Sequence, residues 1–164
     1  VYEGMGFWGH HAPMIRSLMH ATGGPICPNT MYFRVTNVGM EGAYIHSDRE
    51  TGNHTCVAYL SDNAEMSGTA FYKHKGTGLT HMPSMEQMRE EGILEELKAD
   101  MVSRSPDKWE QLDFVRAKYN RALIFQAPMF HSRFPFEGIG DSPENGRLIW
   151  ASHFYKLGPT GELF

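Results

Sequence analysis

The chain reads as a mainly β protein, a sandwich or jelly roll, on three observations. Short runs of β-branched and aromatic residues recur along most of its length. Clusters of Gly, Pro, Asn and Asp separate most of them. Aromatic residues make up 12% of the chain and glycines number 17, a composition suited to strands joined by tight turns. With 164 residues the sequence fits a single domain, 1–164, with room for a real core.

Residues 1–28 form a leading segment. Within it Ala12–Ala21 has helical spacing, with Ile15, Leu18 and Met19 on one face and Gly23-Gly24 ending it. Pro25 and Pro28 then break the chain. Met31–Val38 reads as a strand, Gly39–Gly42 as a turn, and Ala43–Asp48 as a second strand. Asp48–Asn53 is a polar loop. His54–Leu60 and Thr69–His74 are strands separated by a turn over Ser61–Gly68, and Thr69–His74 divides Ala70 and Tyr72 from Thr69, Phe71 and Lys73 by alternation.

Residues 76–116 read as a helical insertion. Ser84 followed by Gln87 is a capping-box pattern for a helix over Met85–Val102, weakened at Gly92. Ser105-Pro106 is a second helix start, with Lys108–Val115 to follow. Strands resume at Lys118–Phe125 and Met129–Arg133. After a loop over Pro135–Asn145 comes a last strand, Gly146–Tyr155. The total is seven or eight strands.

A formal charge of −4 and the lack of a basic tract argue against nucleic acid. No apolar run approaches the roughly 20 residues of a membrane span. The sequence shows no signal-peptide pattern; it opens on Val1, so any leader would lie outside it. Two cysteines, Cys27 and Cys56, do not make a disulfide framework, and a free Cys56 in a buried strand fits a reducing, cytoplasmic compartment. Oligomeric state is not legible.

The chemistry-bearing pattern is His46-Ser47-Asp48. On a strand His46 and Asp48 project together, and an imidazole with a carboxylate is two thirds of a facial metal site with open positions. The missing histidine is assigned to His131, 83 residues after Asp48, in Phe130-His131-Ser132-Arg133. A jelly roll lays sequence-distant strands side by side, which would join the three. Taken alone, His-x-Asp also arises as a surface loop or a hydrogen-bonded pair.

His46-x-Asp48, then His131, then Gly146-Arg147-Leu148 on the last strand resembles the iron(II)/2-oxoglutarate-dependent dioxygenases. Thr55-Cys-Val-Ala-Tyr59-Leu60 and Ser67-Gly-Thr69-Ala-Phe71 resemble their prolyl-hydroxylase-like branch. The likeness covers roughly residues 30–155. It implies a double-stranded β-helix, a cupin-like jelly roll, with Fe(II) on His46, Asp48 and His131. It further implies 2-oxoglutarate as cosubstrate, held at its far carboxylate by Arg147 and Tyr59, O2 as oxidant, and release of succinate and CO2. The substrate would be a small molecule or a peptidyl residue. A guanidinium suits this anchor because it meets a carboxylate with two parallel hydrogen bonds.

Departures are visible. Arg147 stands 16 residues after His131, more than is usual in the family, and the 135–145 loop would absorb the excess. Arg133 and Lys73 are rival anchors. Thr36 stands where the branch often has a tyrosine, with Tyr32 four residues earlier. His10, His11, His20, His54, His81 and His153 read as structural or exposed. His74, between Lys73 and Lys75, reads as a strand end or a contact for an acidic substrate. Arg49 reads as a substrate contact or a surface ion pair. Trp150 and Phe71 read first as core, and Met82, Met85 and Met88 as the packing face of the insertion or a lid. The other function class is a non-catalytic cupin-like protein binding a metal or small ligand.

Overall fold

A computed structural model describes residues 8–40, 44–62, 67–103 and 105–162. Helix α1 (Trp8–Thr22) leads into strand β1 (Ile26–Thr36). After a 3-10 turn at Arg49–Thr51 come β2 (His54–Tyr59) and β3 (Gly68–His74), then helices α2 (Met85–Glu90) and α3 (Leu94–Ser103). The rest is β4 (Trp109–Arg116), β5 (Arg121–Gln126), β6 (His131–Phe134) and β7 (Arg147–Lys156). The start of the leading segment (1–7), Ala43, the end of the Gly39–Gly42 turn and the middle of the Ser61–Gly68 turn lie outside the described residues.

Two antiparallel sheets form a jelly roll. One runs β1-β7-β2-β5 and the other β4-β3-β6. Neighbours are distant in sequence, because β7 returns between β1 and β2. Alternation then sorts side chains. Val57, Tyr59, Phe71, Phe125, Ile149 and Ala151 pack between the sheets. Leu18 of α1 covers the outer face of the four-stranded sheet with Cys56, Trp150 and Phe154. Met88 of α2 and Leu97 of α3 cover the outer face of the other sheet over Ala70, Tyr72, Trp109 and Phe130. Met82 packs at the margin of that cluster, and Met85 is exposed.

Several expectations are corrected. Pro28 does not end the chain's regular structure; β1 runs through it. The strand lies at the edge of its sheet and its register shifts between Pro28 and Thr30, so the missing N–H costs no ladder bond. Residues 44–48 make a single bridge, His46 to His131, in place of a full strand, because Asp48 turns at once into the 3-10 segment. The helix over Met85–Val102 is two helices. Its capping box at Ser84 and Gln87 is present, but Gly92 takes a left-handed φ of 69° between them. Lys108–Val115 is not helical. Ser105-Pro106 starts only a single 3-10 turn, and Trp109–Arg116 pairs with β3. The insertion into the sheets is thus confined to the α2–α3 region.

Candidate metal centre

Between the sheets lies a cavity of about 190 Å³. Its walls alternate along β1 (Tyr32, Arg34, Thr36), β2 (Thr55, Val57) and β7 (Arg147, Ile149, Ala151, His153), while β6 adds His131, Ser132 and Arg133 in succession and β3 adds Thr69. His46 and Asp48 enter from the segment bridged to β6.

Three backbone bonds fix that segment. His46 and His131 exchange N–H···O bonds of 3.0 and 2.9 Å, and Asp48 N–H donates to the Ala127 carbonyl at 2.9 Å. Gly52 then lets the chain lie against β7: a Cβ there would meet the Phe154 carbonyl oxygen at 2.6 Å.

The His46 and His131 rings sit 4.4 Å apart, centroid to centroid. His131 Nε2 is 3.2 Å from Asp48 Oδ2, and His46 Nε2 is 3.6 Å from Asp48 Oδ1. One ligand atom from each residue falls in a group spanning no more than 4.8 Å, which could hold a metal ion.

The tautomers fit that use. His46 Nδ1–H donates to the Tyr44 carbonyl and His131 Nδ1–H to the Met129 carbonyl, each at 2.9 Å. A carbonyl only accepts, so both protons sit on Nδ1 and both Nε2 lone pairs point at the carboxylate. Three electron-pair donors facing one point want a shared cation. Burial, and then the neighbouring His131, push the His46 imidazole down to about 4, which keeps it in the ligating neutral form. Burial would raise the Asp48 carboxyl, but the neighbouring His131 and His153 side chains outweigh it and hold it well below the usual range.

A second cluster, His74 with Glu96 and Asp100, has similar spacing and the opposite tautomer. The Thr77 backbone N–H donates to His74 Nδ1 at 3.2 Å, so the proton sits on Nε2 and donates to Asp100 at 2.9 Å. This buried histidine ties β3 to α3 and has no exposed surface.

At the other end of the β7 wall Arg147 is 5% exposed. Among the described residues it has no carboxylate partner, and its Nε lacks a hydrogen bond. Burial above all, with Arg133 and Arg34 adding to it against Tyr59, lowers the guanidinium to about 10. The Thr36 hydroxyl, opposite Arg147 in the ladder, is also buried without a partner among the described residues. A buried cation and a buried hydroxyl lining one cavity fit an anion. Tyr59 stands behind this wall: its ring lies 5.5 Å from Arg147 Cζ and its hydroxyl is 2.8 Å from that of Thr69. Arg133 lines the cavity; Lys73 does not, and pairs with Glu110.

Arg49 donates to the carbonyls of Met82 and Pro83. Trp150 donates to His11 beneath α1. None of the described residues of 76–116 lines the cavity, so the insertion backs the sheet and does not cap the site. His153, read as structural, instead faces Asp48: its Nε2 is 3.2 Å from Oδ2. The signal was parity, since His153 is six residues past Arg147 on the same face of β7.

The sequence profile of DUF6445, described as a family of unknown function, matches residues 43–154. No curated protein sequence matches the chain. Among solved structures, the non-heme alpha-ketoglutarate-dependent epimerase SnoN from nogalamycin biosynthesis is 11% identical with a TM-score of 0.49, covering 89% of this chain and 53% of that one. HygX from Streptomyces hygroscopicus with iron bound is 13% identical with a TM-score of 0.47, covering 88% and 66%. This chain therefore spans about half of the first protein and just under two thirds of the second. A likeness this low speaks to no site or activity. No described helix is long and apolar enough to cross a membrane.

Proposed function

We propose that this chain, which belongs to the DUF6445 family of unknown function, is an iron(II)- and 2-oxoglutarate-dependent oxygenase of the prolyl-hydroxylase-like kind. One observation carries the reading: a single cavity joins three facing donors, His46, Asp48 and His131, to a buried guanidinium, Arg147, with no carboxylate partner among the described residues.

His46 and His131 would ligate through Nε2, their other nitrogens being held by backbone carbonyls. Two neutral imidazoles and one carboxylate leave a divalent ion with net positive charge, which favours an anionic chelating cosubstrate. Arg147 would take the far carboxylate in two parallel hydrogen bonds, with the Thr36 hydroxyl as a further donor. Tyr59 would act through Arg147, its ring against the guanidinium. The cavity volume suits a small diacid beside the end of a substrate, below the ~300–1,000 Å³ of drug-sized sites. Iron held by His46, Asp48 and His131 would supply the oxygen chemistry, in which one atom of O2 would enter succinate as CO2 leaves 2-oxoglutarate and the other a C–H bond of a small-molecule or peptidyl substrate.

Anaerobic titration with Fe(II) and then 2-oxoglutarate tests the reading through the visible charge-transfer band of a chelated keto acid. The wild-type chain should form it, and His46→Ala should not. In air, His46→Ala should also abolish succinate formation. Iron uptake with no ternary complex would leave a cupin-like metal-binding protein and overturn the oxygenase reading.

A further inference from the structure

His153, Thr30 and Thr55 form one row across three strands. In the ladders Thr30 of β1 and Thr55 of β2 both stand opposite His153 of β7. The Thr30 hydroxyl is 2.6 Å from His153 Nδ1. His153 Nε2 is 3.2 Å from Asp48 Oδ2, and the Thr55 hydroxyl donates to the same oxygen at 2.9 Å. Among the described residues no hydrogen bond reaches Asp48 Oδ1, which faces His46 Nε2 at 3.6 Å, while His131 Nε2 lies 3.2 Å from Oδ2.

The protons can be placed. His131 stands at the same distance from Oδ2, but the Met129 carbonyl holds its proton on Nδ1; His153 Nδ1 meets a hydroxyl that can donate, so the His153 proton is free to sit on Nε2 and go to Asp48. Nδ1 is then the acceptor, and the Thr30 hydroxyl donates to it. This is the reverse of the tautomer in His46 and His131. His153 also falls outside the group of donor atoms that share a 4.8 Å span. Its chemistry is that of a hydrogen-bond donor to a ligand and differs from that of a fourth ligand.

We propose that His153 is a positioning residue for the metal centre: its Nε2–H, with the Thr55 hydroxyl, occupies Asp48 Oδ2 and reserves Oδ1 for the cation. The inference rests on the metal reading above and extends it to a residue outside the His-x-Asp…His pattern. Hydrogen bonds to the second oxygen fix the carboxylate's rotation, so His46, Asp48 and His131 meet the ion without ordering it at the moment of binding.

The test is Co(II) binding by the full chain, read from affinity and from the ligand-field absorption bands. His153→Leu should weaken binding about 10- to 100-fold, the usual loss for an outer-shell partner. His153→Gln, whose amide N–H lies near the Nε2 position, should restore most of the affinity with unchanged band energies. Thr30→Val, which keeps the imidazole and removes its acceptor-side donor, should lose about two- to tenfold. A His153→Leu protein that is folded by circular dichroism and binds Co(II) within twofold of wild type overturns the proposal. So does a His153→Gln protein whose bands shift as they would on losing a nitrogen ligand. Failure of the wild-type chain to bind Co(II) removes the metal reading itself, and this inference with it. Co(II) binding without 2-oxoglutarate binding removes only the oxygenase reading.

Discussion

Arg147 stands apart from the other described arginines as a guanidinium that is almost fully buried and faces no carboxylate among the described residues. Such a group is a cost to the folded state until an anion reaches it. Two opposite effects of one substitution follow. Arg147→Leu should leave the ligand-free protein as stable as wild type or more so, because an uncompensated charge is gone. The same change should remove about 2–5 kcal/mol of 2-oxoglutarate binding, the cost of truncating one partner of a buried charge pair. Arg147→Lys should not rescue it, since an ammonium cannot make the two parallel bonds of a planar fork. Thermal unfolding with and without 2-oxoglutarate, plus calorimetric titration, reads both effects. A destabilised ligand-free Arg147→Leu that still binds 2-oxoglutarate normally would show the residue to be part of the scaffold only.

Among elements, the segment 44–53 supplies two of the three facing donors, His46 and Asp48, without being a regular strand. One bridge fixes His46 to β6, and Gly52 presses the following turn onto β7. Gly52→Ala should therefore push the Asp48 turn away from His153, costing about 1–3 kcal/mol of stability through overpacking and weakening Co(II) together with it. Ser84→Ala is the contrasting case. It removes the cap of α2, about 0.5–2 kcal/mol, on the far side of the β4-β3-β6 sheet. Its melting temperature should fall while Co(II) affinity stays put, and equal metal losses in the two variants would deny the segment its special role. Element by element, what could be read beforehand was local or periodic. His54–Leu60 and Thr69–His74 declare themselves by composition, and Ser84 with Gln87 by spacing. Lys108–Val115 could not be read that way, because its helix start at Ser105-Pro106 is a local signal and its partner β3 lies some forty residues back. The donors His46, Asp48 and His131 were legible as a pattern. His153 was passed over because it was weighed as a lone histidine, although its parity with Arg147 placed it on the same wall.

The whole molecule links these sites to pH. His46 titrates near pH 6.5 in an unfolded chain and only at about 4 in the folded one, chiefly because it is buried. Between those values the unfolded chain binds more protons, so stability must fall as pH falls. Burial and Lys156 lower the His54 imidazole too, with the same sign. Asp48, held below the ordinary carboxylate range by His131 and His153 against its burial, continues the loss below about pH 4. The ligand-free chain should then melt at steadily lower temperature from pH 6.5 to 4, and His46→Gln should flatten the part of that slope that belongs to His46. A divalent metal works against the same protons, since only neutral imidazoles and an ionised carboxylate ligate. At neutral pH, Co(II) at 100 times its Kd adds about 2.7 kcal/mol. For a domain of this size that raises the melting temperature by about 5–10 °C. The rise should shrink steadily as pH drops through the same window and vanish with a chelator. A metal-induced shift that stays constant from pH 6.5 to 4 would place the ion on groups other than His46, Asp48 and His131.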